Sequence, residues 1–256
     1  RDQPRSRGLG DVYKRQILSL LFGDDDLQKT LMIVNTAGHD TDCNSGNVGC
    51  IMGIKNGLEG LRNGPDYLTP IQDRMYCPTA NGGETQTDAL TEAYKVINTA
   101  KKMNKEETVE PKNGSRFHFE MPGSVQGWRS SFKNNKNIST IVQNTEYESS
   151  IGKRALEIKF DRVAPGVCSE AVVDTFFPQE LYELTGSVRE RFFQSYNFIS
   201  CPLLYSGQNI ESEIIFKSNS QKPITVTCFI NVFGEEDNYE RMNSESLVLF
   251  LSLIHI

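Results

Sequence analysis

Between residues 17 and 105 apolar side chains recur at three- and four-residue spacing, and beyond residue 115 they alternate with polar ones, so the chain predicts helices followed by strands. Ile17 to Phe22 reads as the end of an apolar helix stopped by Gly23. Asp24, Asp25 and Asp26 then supply the N-cap and first-turn carboxylates of a helix that turns Leu27, Leu31, Ile33 and Val34 inward. Asn35 to Gly38 breaks that helix, and Asp40-Thr41-Asp42 forms the turn into the next, Ser45 to Gly60. There Gly46, Gly49, Gly53 and Gly57 fall on one stripe. Each costs about 1 kcal/mol relative to Ala. The stripe therefore predicts close approach of neighbouring helices, with Val48, Ile51, Met52 and Leu58 burying apolar area beside it. Loops at Arg62 to Asp66 and Pro78 to Gln86 precede a helix capped by Thr87 and carrying Leu90, Ala93, Tyr94, Ile97 and Ala100. Between the loops, Asp73-Arg74 reads as a structural ion pair or a substrate contact.

The polar run 106–114, with Pro111 and the Asn113-Gly114 turn pair, reads as a linker. Strand periodicity follows at Arg116 to Met121, Ile138 to Val142, Ala155 to Phe160, Ile210 to Phe216 and Ile224 to Phe233. Spaced by Gly, Pro and Asn turns, these predict an antiparallel β-sandwich over residues 115–250. The run Gly152-Lys-Arg-Ala-Leu-Glu-Ile-Lys159 is similar to the turn-and-strand signature of jelly-roll carbohydrate-binding modules, which implies a glycan as a partner of the sandwich. Trp128, beside Gly127 and Arg129, is then either a sandwich core residue or a stacking platform for a sugar face.

The two ends read differently. Leu251 to Ile256 and Asp11 to Gln16 can be encoded by the opposite strands of one short oligonucleotide, and so resemble translated sequencing adapter, with Ser6 to Gly10 as its upstream continuation. Residues 1–16 and 251–256 are expected to be processing scars. They carry five basic and two acidic residues, so the net charge of −6 becomes −9 for residues 17–250. An acidic chain of this kind speaks against nucleic acid as a partner. No apolar run approaches a membrane span. Cys43, Cys50, Cys77, Cys168, Cys201 and Cys228 show neither CxxC spacing nor a dense framework, which argues for free, buried thiols over a zinc site or disulfide scaffold and assigns no compartment.

The stretch with chemistry is Gly38-His39-Asp40-Thr41-Asp42-Cys43-Asn44. Two carboxylates two residues apart at a helix start can hold a hard divalent cation through oxygen. The same pattern also serves as an Asx-turn with a cap. The extended string, Gly-x-Asp-Thr-Asp-x-Asn followed by Gly46, Gly49 and Gly53, resembles the C-terminal metal-binding motif of the ADP-ribosylglycohydrolase family. The resemblance takes in the preceding Asp26-Leu-Gln-Lys-Thr30 and the later Pro70-Ile-Gln-Asp-Arg74, and covers residues 17–105.

That resemblance implies an all-helical domain that holds two magnesium ions between an N-terminal acidic motif and this C-terminal one, and that hydrolyses an ADP-ribosyl or related riboside bond. Asp40 and Asp42 match the family's carboxylate ligands, and Gly38 and Asn44 match positions lining the ligand pocket. Where many members carry a ligating Thr or Ser, this chain has Cys43, a soft donor poorly matched to magnesium. The third ligand is then this thiol, a water or a backbone carbonyl. His39 falls on a variable position and reads as a loop residue. The remaining acidic ligands and the carboxylate that acts on water are expected upstream of Ile17, so the fragment itself is expected to be inactive. The alternative is a catalytically inactive ligand- or glycan-binding protein that uses the sandwich. The expected architecture is thus multidomain α and β: residues 17–105 as the C-terminal piece of an all-α helical bundle, a linker, and an antiparallel β-sandwich.

Overall fold

The structure, a computed structural model, describes residues 9–68, 71, 73–76, 84, 86–131, 140–160, 166, 168–175, 185–188, 190, 203–217, 224–233, 239–245, 247–249 and 254–255. It is a mixed α and β chain that divides into two compact units, Arg1–Leu203 and Leu204–Ile256. No helix is long and apolar enough to cross a membrane among the described residues.

The first unit opens with α1 (Leu9–Phe22), α2 (Leu27–Thr36) and α3 (Thr41–Arg62). Their apolar stripes meet in a core of Leu27, Val34, Val48 and Met52, with Leu20 and Leu31 packed against it. Asp26 caps α2 by accepting from the Lys29 amide at 2.6 Å. Asp24 and Asp25 stay outside the helix, each with positive φ, and pair instead with Lys29 and Lys55. Helix α1 begins at Leu9, so it runs through positions expected to be processing scar. Its Gln16 is buried and donates to Asn44 Oδ1 at 2.9 Å.

The glycine stripe of α3 is not a packing seam. A Cβ built on Gly46 or Gly53 would meet nothing within 4 Å, and on Gly49 only the Leu31 side chain at 3.8 Å. Ile51 and Leu58 are likewise exposed, while Val48 and Met52 are fully buried. Periodicity identified which side of the helix is small, but the buried side is the Val48–Met52 face. Gly57, at φ 63°, breaks the helical path near its end.

Helix α4 (Ala89–Met103) is capped by Asp88, which accepts from the Thr91 amide at 2.8 Å. Thr87 lies one residue earlier, in the short pairing of β1 (Met75–Tyr76) with β2 (Gln86–Thr87). Its hydroxyl donates to Glu92 at 2.7 Å. The polar run 106–114 docks on this helix rather than spanning free: Asn98 donates to the Val109 carbonyl at 3.0 Å and accepts from its amide at 2.8 Å. Residues 116–121, read as a strand, pair with none among the described residues. Phe119 sits at φ 57°, and backbone groups of the segment bond to the side chains of Gln126 and Asn144 instead of along a ladder.

β3 (Arg129–Ser130) pairs with β6 (Ala171–Val172), and β4 (Thr140–Glu146) with β5 (Arg154–Phe160) in a seven-pair antiparallel hairpin. The Gly152 turn of this hairpin lies against Glu120 and Lys112 with no room for a Cβ. In the second unit β7 (Ile215–Phe216), β8 (Ile224–Val226) and β9 (Phe229–Phe233) pair antiparallel with β12 (Ile254–His255), β11 (Leu247–Leu249) and β10 (Tyr239–Asn243), nested one inside the next. Between the inner two pairings Ser244 and Cys228 exchange hydrogen bonds of 2.8 and 3.2 Å. The ladders described are all two-stranded.

Candidate metal centre

Gly38, His39 and Asp40 take three consecutive left-handed conformations, with φ of 69°, 54° and 49°. Such backbone is ordinary for Gly and tolerated by Asp, and it reverses the chain between α2 and α3. The turn has a chemical consequence. Asp40 occupies the N-cap position of α3, yet its side chain makes no capping hydrogen bond. Its carboxylate is therefore not used to satisfy the helix amides, the ordinary task of an acid at that place.

Asp42 lies in the first turn of α3, and Asp40, Asp42 and Cys43 bring their ligand atoms within 4.8 Å of one another. This is the one group of three such side chains among the described residues. All three are exposed. The Cys43 thiol is pushed above its ordinary pKa, first by its hydrogen bond to Asp40 and then by the negative charge of Asp40 and Asp42. A thiol so placed keeps its proton at neutral pH and acts as a donor toward Asp40.

The donor set fits magnesium in part. Two carboxylates at an open surface suit a hard cation that keeps several of its waters, whereas a protonated thiol does not.

The other residues of the motif divide between surface and core. Gly38 and His39 are exposed in the turn. Asn44 is fully buried beneath it, held by Gln16 through Oδ1, while its Nδ2 has no hydrogen-bond partner among the described residues. Burial and the Gln16 contact make Asn44 a support of the first turn of α3. The described cavity, of about 320 Å³ and lined by Asp25, Asn56 and Glu59 among others, lies toward the other end of α3, about 20 Å along its axis, and has no part in this chemistry.

Asp73 and Arg74, adjacent in sequence, do not pair with each other. Asp73 is buried and accepts from the Ser124 hydroxyl and, at 3.4 Å, from the Ala89 amide. Arg74 reaches Asp174 at 2.5 Å, where Arg129 also binds at 3.0 Å and the Tyr76 hydroxyl at 3.3 Å. Both residues therefore have structural partners. Asp174 carried no signal in the sequence, because its two guanidinium partners are far from it along the chain. Trp128 is half-buried, its ring edge-on to Phe117 with centroids 6.0 Å apart.

No protein-family model, curated protein or solved structure matches the chain. The resemblance to the glycohydrolase motif thus rests on the motif residues themselves.

Proposed function

We propose that Asp40 and Asp42 form the carboxylate half of a magnesium site in an ADP-ribosylglycohydrolase-like hydrolase that cleaves a glycosidic bond of an ADP-ribosyl group or related riboside. The observation that carries this reading is the pairing of the two carboxylates on a left-handed turn that releases Asp40 from capping duty. When bound, magnesium supplies a Lewis-acidic anchor for ribose hydroxyls and balances negative charge. The chain's own residues do the positioning. Asp40 and Asp42 hold the cation at the surface, and the turn Gly38 to Asp40 fixes the angle between them. Asn44 and Gln16 anchor the helix end beneath. Cys43, a soft donor, would contribute little to holding magnesium. The group itself holds two carboxylates and a thiol within 4.8 Å of one another, and the chain by itself is proposed to bind cation and riboside without turnover. The finer architecture belongs to the same proposal: α1 to α4 as part of a helical bundle and the two-stranded ladders as parts of a β-sandwich.

The test is a calorimetric titration of Mg²⁺ into the chain with and without ADP-ribose. The proposal expects the two to strengthen each other's binding, since ribose hydroxyls would complete the cation's shell. Cation binding indifferent to ADP-ribose would leave a plain cation site and remove the riboside. Exposure of the site favours a second reading, a ligand-binding protein without catalysis. Coupled binding in the full-length protein with no bond cleavage would select it.

A further inference from the structure

His118 is buried at 5% exposure, yet nothing in the proposed metal chemistry uses it. Its Nδ1 accepts a hydrogen bond from the Glu120 amide at 3.2 Å, which requires that nitrogen to be unprotonated. Its ring stands edge-to-face against Tyr94 of α4, with centroids 5.5 Å apart. The neighbouring residues link three parts of the first unit. Gln126 accepts from the Phe119 amide at 2.8 Å and donates at 3.3 Å to Asp88, the cap of α4. Glu120 accepts from the Lys153 and Arg154 amides at 3.1 and 3.3 Å, at the mouth of the β4–β5 hairpin. Segment 118–120 thus joins α4 to that hairpin.

We propose that His118 is an acid-sensitive latch, whose protonation at Nδ1 turns the acceptor of the Glu120 amide into a second donor and releases the hairpin from α4. A ring that faces an N–H cannot keep that bond once it carries its own proton there. Reorientation is opposed by the Tyr94 contact, so the strain falls on the backbone of 118–120. The charged groups facing the ring are Asp88 at the start of α4, Glu120 on its own segment and Lys112 on the preceding turn. Burial outweighs the two carboxylates and holds the imidazole below its ordinary pKa. The sign follows: a group with a depressed folded pKa, neutral when deprotonated, stabilises the latch fully above about 6.5, and that contribution is lost as the pH falls through the folded value.

Hydrogen exchange of the whole chain between pH 7.5 and 4.5, corrected for intrinsic rates, reads the latch at Glu120, Lys153 and Arg154. The expected result is a loss of protection approaching about tenfold per pH unit as the pH falls from about 6.5 toward the lower pKa of the latched imidazole, the slope of one linked proton, and levelling below it. His118→Asn, whose amide oxygen keeps an acceptor near Nδ1 without titrating, should abolish that dependence. The same loss of protection in His118→Asn would overturn the proposal. Should that variant fail to fold, the imidazole proton resonances of the unaltered chain decide: His118 must titrate below 6.5, and a midpoint at or above it contradicts the latch.

Discussion

Asp40 and Asp42 bring carboxylate oxygens within 4.8 Å of each other across the point where a left-handed turn becomes the right-handed helix α3. Two like charges at that separation repel unless a cation lies between them or water screens them. Both groups are open to solvent, so the chain tolerates the pair without a cation and gains from one. Asp40→Asn and Asp42→Asn should each weaken Mg²⁺ binding on the order of tenfold to a hundredfold, measured by calorimetry, with helix content by circular dichroism unchanged because neither side chain caps or packs.

Cys43 gives a test of opposite sign. Cys43→Ser replaces a soft, protonated donor by a hard hydroxyl at the same position, and should tighten Mg²⁺ binding on the order of tenfold. Competition with Cd²⁺, which favours sulfur, checks the assignment. The serine variant should lose whatever Cd²⁺ preference the natural residue confers.

The glycine stripe separates two pictures of α3. Because Gly46 and Gly53 face open space, Gly46→Ala and Gly53→Ala should each stabilise the chain by about 0.5–1 kcal/mol in urea denaturation. If neighbouring helices pressed on the stripe, as the spacing alone predicts, the same changes would destabilise. Gly57→Ala should destabilise in either case, since its φ of 63° is strained for any residue with a Cβ.

These glycines also mark how far the sequence can be read. Three-four periodicity located α2, α3 and α4; the acidic residues ahead of α2 located its cap, while the expected cap of α4, Thr87, lies one residue before the actual one, Asp88. Periodicity reports that a face is distinct without reporting which face is buried. In α3 the volume of Val48 and Met52 won over the smoothness of the glycines. Alternation at 116–121 promised a strand, but Gln126 and Asn144 capture the carbonyls and amides there, and side-chain partners from elsewhere in the chain leave no periodic trace. Within the site, the Asp-x-Asp pair was legible because it is local. Its left-handed turn and the buried Asn44–Gln16 contact were not, since one depends on backbone conformation and the other joins residues on different helices.

Asp174 is the clearest case of a partner invisible in the sequence. Its half-buried carboxylate receives Arg74, Arg129 and Tyr76, and both arginine side chains are largely sequestered. Asp174→Ala removes the carboxylate that Arg74 and Arg129 share and should destabilise the first unit by about 2–4 kcal/mol. Guanidinium denaturation measures it. Exposed pairs such as Arg62–Glu59 should give less than about 0.5 kcal/mol on the same treatment.

Asp73 sets a pH dependence of its own. Burial raises its pKa above the ordinary carboxylate value, against hydrogen bonding from Ser124. A carboxyl with a raised folded pKa contributes most below its unfolded value, about 3.9, and loses that contribution as the pH rises through the folded value. Asp73→Asn should therefore gain stability relative to the natural chain as pH increases from about 4, the difference levelling once the natural carboxyl is ionised. Thermal denaturation from pH 4 to 7 reads the slope. A difference independent of pH would remove the assignment.

The most direct measurement of the central claim is paramagnetic broadening of the amide resonances by substoichiometric Mn²⁺. The account predicts that signals from Gly38 to Asn44 vanish first, that Mg²⁺ restores them, and that the double variant Asp40→Asn, Asp42→Asn leaves them sharp. Broadening that begins instead at Asp24 to Asp26, or that persists in the double variant, would contradict it.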